Sequence, residues 1–160
     1  MKKSLFLALC LITLSPLRLM AEIIPASDSR VTYVGRTWVE DGAVSFDWTA
    51  VYCRIAFSGK SLTLRASDIK WDATPEMAAT RHNYFNVWID APMSAEPHRI
   101  IEIASTDTII ELIDPAYLKK SRRAVHEVII QKRTEGEQGK TTFLEFATDT
   151  KGIFLQAEKI

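Results

Sequence analysis

The stretch from Ala43 to Ser67 reads AVSFDWTAVYCRIAFSGKSLTLRAS. Its middle reads as two strands joined by Gly59-Lys60. A two-residue loop that opens with glycine suits a type II′ turn, because glycine accepts the positive φ that this turn needs. Counting outward from the loop predicts a register. Phe57 lies opposite Leu62, Ile55 opposite Leu64 and Cys53 opposite Ala66, all on one face, because side chains alternate along a strand. Arg54, Ala56, Thr63 and Arg65 share the other face. A slip of one residue would send Leu62 and Leu64 to the wrong side. The same register sets Arg54 opposite Arg65, which is unfavourable for like charges. An acidic neighbour between them, or a partner surface over that face, is therefore expected.

Working outward, Val44, Phe46 and Trp48 alternate with Ser45 and Asp47 as an earlier strand, and Val31 to Gly35 forms another. Glu22 to Arg30 reads as a lead-in with little structure. After the central stretch, Asp68 to His82 shows no period of two. It is a long loop of the kind that carries function or moves, with a helical turn expected over Pro75 to Thr80. Asn83 to Asp90 is a strand with Phe85, Val87 and Ile89 as its core row. Arg99 to Ala104 and Thr108 to Ile113 follow, with Ser105-Thr106-Asp107 as the turn. Asp114 to Arg123 breaks the pattern and carries Lys119, Lys120, Arg122 and Arg123, read as a solvated turn. Ala124 to Arg133, Thr141 to Thr148 and Gly152 to Gln156 are the last strands, with a two-glycine turn over Glu135 to Lys140. Nine or ten short strands with regular turn signals and no long amphipathic helix predict an all-β fold, an antiparallel jelly-roll β-sandwich.

The first residues have a different character. Lys2 and Lys3 precede the apolar run Leu5 to Leu14, and Leu19-Met20-Ala21 supplies small-residue cleavage chemistry. This is the pattern of a secretory signal peptide over residues 1–21, which leaves one domain over 22–160 and implies export to a periplasmic or extracellular space. The run is shorter than the ~20 residues a bilayer needs, so no membrane attachment is expected after cleavage. Cleavage removes three cations, Lys2, Lys3 and Arg18, and no acid, so the remainder is net acidic. Such a surface gives no reason to expect nucleic acid. Cys53 is then the one cysteine left, a buried thiol with no internal disulfide partner.

Site chemistry is sparse. No Gly-x-Ser-x-Gly occurs, and Ser58 and Ser61 flank a turn, so no catalytic residue is assigned. His82, His98 and His126 stand far apart, and Asp68 and Asp72 read as parts of a solvated loop, so no metal or other cofactor is expected. Sugar binding is the better functional candidate. Sugars stack flat C–H faces on aromatic rings while nearby polar groups bond their hydroxyls. Tyr84, Asn86, Trp88 and Asp90 share one strand face, Trp71 lies in the long loop, and Trp38 follows the first strand. The plainer reading is that these aromatics cover the second sheet or meet another domain. Either way they mark a contact surface.

Four blocks in order carry a family resemblance: SDSRVTYVGRT (Ser27 to Thr37), VSFDWTAVYCRIAFSGKSLTLR (Val44 to Arg65), NYFNVWID (Asn83 to Asp90), and HEVIIQKRTE with TTFLEF (His126 to Glu135, Thr141 to Phe146). Together they resemble the N-terminal domain of carbohydrate esterase family 2, the acetylxylan esterase type, over nearly the whole mature chain. The resemblance implies a jelly-roll sandwich that precedes an SGNH-type esterase domain acting on plant polysaccharide. Neither the Gly-Asp-Ser nucleophile block nor the late catalytic histidine of that second domain occurs here, so the fold carries over and the catalytic residues do not. It also suggests that Lys132, Arg133 and Glu135 anchor a domain interface through ion pairs. The expected role is an exported, non-catalytic accessory domain that supports deacetylation by an SGNH hydrolase domain outside this chain. A free-standing carbohydrate-binding module and a remnant without present function are the alternatives.

Overall fold

A computed structural model describes residues 21–69, 74 and 80–157. In chain order the strands begin β1 (Ile23–Pro25), β2 (Thr32–Val34), β3 (Trp38–Glu40) and β4 (Ala43–Phe46). The middle strands are β5 (Tyr52–Ser58), β6 (Leu62–Ile69), β7 (Asn83–Ile89), β8 (Arg99–Ile103) and β9 (Thr108–Glu111). A short helix α1 (Pro115–Lys120) precedes β10 (His126–Lys132), β11 (Lys140–Thr148) and β12 (Ile153–Leu155). One sheet runs β3-β4-β11-β6-β9, with β1 also on β11; the other runs β12-β5-β10-β7-β8, with β2 also on β5. Every pairing is antiparallel. This is the expected β-sandwich.

The expected β5–β6 hairpin does not form. β5 pairs with β10, β12 and β2, whereas β6 pairs with β11 and β9 in the opposite sheet. The connection at Gly59 therefore crosses from one layer to the other. The apolar row survives this correction. Cys53, Ile55, Phe57, Leu62, Leu64 and Ala66 are all buried, but they meet across the core rather than side by side. Alternation reports which side chains point inward and is blind to which strand lies alongside. Gly59 keeps its expected positive φ, +145°, and a Cβ there would lie 2.5 Å from the Thr148 hydroxyl oxygen.

The facing arginines are corrected with it, since they sit on opposite outer faces. Arg54 donates from Nη2 to Glu127 Oε1 at 2.7 Å. Arg65 grips Asp107 through Nε at 2.8 Å and Nη2 at 3.0 Å. Each guanidinium has an acidic neighbour, but not a shared one.

Phe46, Phe85, Phe143 and Phe146 fill the middle of the sandwich, with Phe46 edge-on to Phe143 at a centroid distance of 4.9 Å, a favoured aromatic geometry. The lead-in segment is more ordered than its sequence suggests. Ile24 is buried, and β1 pairs with β11 over Ile23↔Ala147 to Pro25↔Glu145. Three residues ending in proline are too short to show a period. β3 is equally short. The break at Asp114 to Arg123 contains α1, whose cap is local chemistry: Asp114 Oδ1 accepts from the Ala116 N–H at 2.7 Å and Pro115 sits in the first turn. Pro75 to Thr80, where a helical turn was expected, lies outside the described residues except for Thr80. Among the described residues, no helix is long and apolar enough to cross a membrane.

Lys132 is not at an interface. It is 1% exposed, and its ammonium donates to the Thr134 carbonyl at 2.9 Å, the Thr134 hydroxyl at 3.1 Å and the Glu135 carbonyl at 3.2 Å. The even-numbered positions of β10, His126, Val128, Ile130 and Lys132, face inward, which puts this lysine in the sandwich. Burial holds its pKa down to about 8 from 10.5, against the pull of Asp68, Asp47 and Glu135. Between 8 and 10.5 the unfolded chain therefore holds a proton that the folded chain has released, so this group's contribution to stability rises with pH. Relative to Lys132→Met, the wild-type chain is expected to gain stability across that interval. Urea midpoints of the two proteins that stay parallel from neutral pH to about 10 would refute this assignment.

Candidate functional site

The outer face of the second sheet carries a recess, a groove of about 750 Å³. Its floor is set by strand parity. Tyr52, Arg54 and Ala56 of β5 point outward beside Glu127 and Ile129 of β10, and β12 adds Leu155 along one side. The opposite wall is the segment that follows β7. At Asp90 the backbone takes φ +54°, which turns the chain back over the sheet. Pro92 and Met93 then face the groove, and His98 returns to the sheet through its N–H to the Val87 carbonyl at 2.9 Å.

That returning segment decides the fate of Trp88. The indole is 3% exposed, and its Nε1 donates to the Ala95 carbonyl at 2.8 Å. A ring covered in this way offers no free face, so Trp88 is a structural residue here and not a stacking platform. Asp90 is likewise internal. Its side chain is 4% exposed, as is that of His126, whose Nδ1 lies 2.7 Å from Asp90 Oδ2. Asp90 Oδ1 accepts from the Glu127 N–H at 2.9 Å, and Oδ2 also accepts from the Tyr117 hydroxyl at 3.3 Å. Burial and this carboxylate push the Tyr117 phenol above its ordinary pKa. One side chain thereby clasps the end of β7, the start of β10 and α1.

Of the other expected site residues, Tyr84 is 37% exposed on the same outer face, with the His82 ring tilted against it and His82 in turn contacting Glu102. Asn86 stands on the next rung, beside Gln131 of β10, and its Oδ1 is buried without a hydrogen-bond partner. Trp71 lies outside the described residues. Trp38 is on the far sheet at the edge strand β3, exposed and stacked by the Arg36 guanidinium at 5.6 Å. The expected aromatic set is therefore not gathered at one place.

The residues that do converge are Tyr52, Arg54, Glu127, Met93 and Arg123. They come from two strands and two connections. Of these, the alternation read from the sequence places only Arg54 on the outward face. Cys53 is buried as expected, and burial raises its thiol pKa well above the ordinary range, which leaves it inert. Among the described residues, no three His, Cys, Asp or Glu side chains gather as a metal site would require.

The fold has solved counterparts. A family two carbohydrate esterase from Cellvibrio japonicus superposes with a TM-score of 0.68 at 21% identity, over 88% of this chain and 36% of that one. A family two carbohydrate esterase from Clostridium thermocellum, in complex with cellohexaose, gives 0.62 at 20% identity over 81% of this chain and 34% of that one. The CBM36-1 domain of a multidomain xylanase from the hindgut metagenome of Trinervitermes trinervoides gives 0.53 at 10% identity over 87% of this chain and 99% of that one. At these identities the likeness concerns the fold. The chain spans about a third of the length of the solved esterases it matches. Among curated proteins there is no match. The family profile described as carbohydrate esterase 2 N-terminal matches residues 33–157, most of the chain. From the inward row of β5 and β6 to the last strand, the chain belongs to the carbohydrate esterase 2 N-terminal family.

Proposed function

We propose that this chain is the non-catalytic accessory sandwich of an exported polysaccharide deacetylase of the esterase 2 type, acting beside an SGNH-type hydrolase domain. The observation that supports this is family membership over residues 33–157, together with a match to only about a third of each solved esterase. In this reading the sandwich supports the hydrolase or supplies one wall of its substrate cleft, with Tyr84 and Asn86 on the contact face. Export rests on residues 1–21. Cleavage after Ala21 would leave Glu22 first, next to β1, where its Oε2 already accepts the Phe154 N–H at 2.7 Å. The experiment is to express the full chain in a secreting host and collect the exported protein. It is expected to start at Glu22 and to leave an acetyl ester intact. Turnover by the pure protein that a serine reagent abolishes would overturn the accessory role, and retention of residues 1–21 would overturn export.

The groove favours a second reading, in which the sandwich itself holds a sugar polymer. Ala56, Ile129 and Leu155 provide an apolar strip for C–H faces, and Tyr52 and Arg54 offer donors to hydroxyls. It requires saturable binding to at least one polymer in a panel of glycans including xylan, weakened by Tyr52→Ala.

A further inference from the structure

We infer that the groove on the outer face of the second sheet takes a sugar polymer bearing carboxylates, that is, a uronate-containing glycan. This rests on the sugar-binding reading and adds the charge of the ligand to it. The argument concerns which charges in the groove are already committed. Its two carboxylates are. Glu127 is held by Arg54 Nη2 at 2.7 Å, and Asp90 is enclosed by His126, Tyr117 and the Glu127 N–H.

The cations keep spare donors. Arg54 uses one terminal nitrogen on Glu127, and among the described residues its guanidinium makes no other hydrogen bond. Arg123 lines the opposite wall with its side chain 64% exposed, and its nearest acid is Asp90 at 3.9 Å, beyond hydrogen-bond reach. Directly before it in the chain, Lys119, Lys120 and Arg122 are exposed, and none has an ion pair among the described residues. A guanidinium fork matches the two oxygens of a carboxylate, so two arginines across a groove suit acid groups spaced along one polymer. The remaining lining is that of a sugar site, with an apolar strip and the Tyr52 hydroxyl. A recessed site also fits an extended chain better than a flat anionic lipid surface.

The test titrates the full chain calorimetrically with polygalacturonate and with the same polymer after its carboxyls are reduced to alcohols. Saturable binding to the acidic polymer, weakened by added salt and about tenfold by the triple change Lys119→Ser, Lys120→Ser and Arg123→Ala, is the expected result. Arg54→Lys keeps the charge but loses the planar fork, and it is expected to weaken the acidic polymer selectively. Equal binding to both polymers, or undiminished binding by the triple variant, overturns the inference and leaves the sugar-binding reading standing. Binding to neither polymer nor to any in the neutral panel overturns both. Sedimentation of the protein with phosphatidylglycerol vesicles and not with polygalacturonate would reassign the cations to a lipid surface and overturn it equally.

Discussion

Asp90→Ala is expected to destabilise the domain by about 3–5 kcal/mol, because it removes the shared acceptor of several groups at once, each of which costs about 1–3 kcal/mol when left unsatisfied in the interior. The change strips His126 Nδ1, the Glu127 N–H and the Tyr117 hydroxyl of a partner whose side chain, like that of His126, is almost wholly buried. Unsatisfied buried groups carry their full desolvation cost, so the loss is larger than the net worth of the bonds. Alanine must also adopt φ +54°, a left-handed conformation that disfavours a Cβ by roughly 1–2 kcal/mol. Asp90→Asn tolerates that backbone and can still accept from Glu127, so it should lose about half as much. Urea unfolding followed by circular dichroism measures both. An alanine variant within about 1 kcal/mol of wild type would remove Asp90 from the role of clasp.

Phe57→Ala should cost about 3–5 kcal/mol by leaving a cavity the sandwich cannot close. Phe57 is fully buried in β5, opposite His126 on β10 and Phe154 on β12, with the His126 ring 5.8 Å away. Its neighbours are held by two ladders and cannot collapse inward freely. Phe57→Leu preserves most of the volume and is expected to stay near 1.5 kcal/mol. The same urea series separates these cases. Because a folded domain has only about 5–15 kcal/mol in hand, the alanine protein should unfold at markedly lower denaturant. A small loss would mean that this end of the core is not packed as described.

Facing was legible in the amino-acid order, and adjacency was not. Phe85, Val87 and Ile89 alternate on β7 and all three are buried, as are Val51, Ile55, Phe57, Leu62 and Leu64. A period of two encodes that much. Which strands lie together depends on whether a turn folds back within a sheet or crosses the core, and Gly59-Lys60 serves either outcome. The candidate site suffered from the same limit. Trp88 has the outward parity of Tyr84 and Asn86, but the chain after Asp90 doubles back and covers it. Pro92, Ser94 and Pro97 mark the segment from Asp90 to His98 as a turn, but not which surface the turning chain will cover. Arg123 lies in a basic run that reads as solvated surface, and its place on the groove wall follows only from where α1 and β10 are held.

One consequence of the strand order concerns how the molecule is made. β11 lies between β4 and β6 and also holds β1, yet it follows all three in the chain. Until it arrives, the two halves of that layer have no common neighbour, and the pairing of β11 with β1 closes more than a hundred residues of chain. A nascent chain of this topology keeps that layer open until β11 itself has been made, so its strand edges stay unpaired for most of the domain's synthesis.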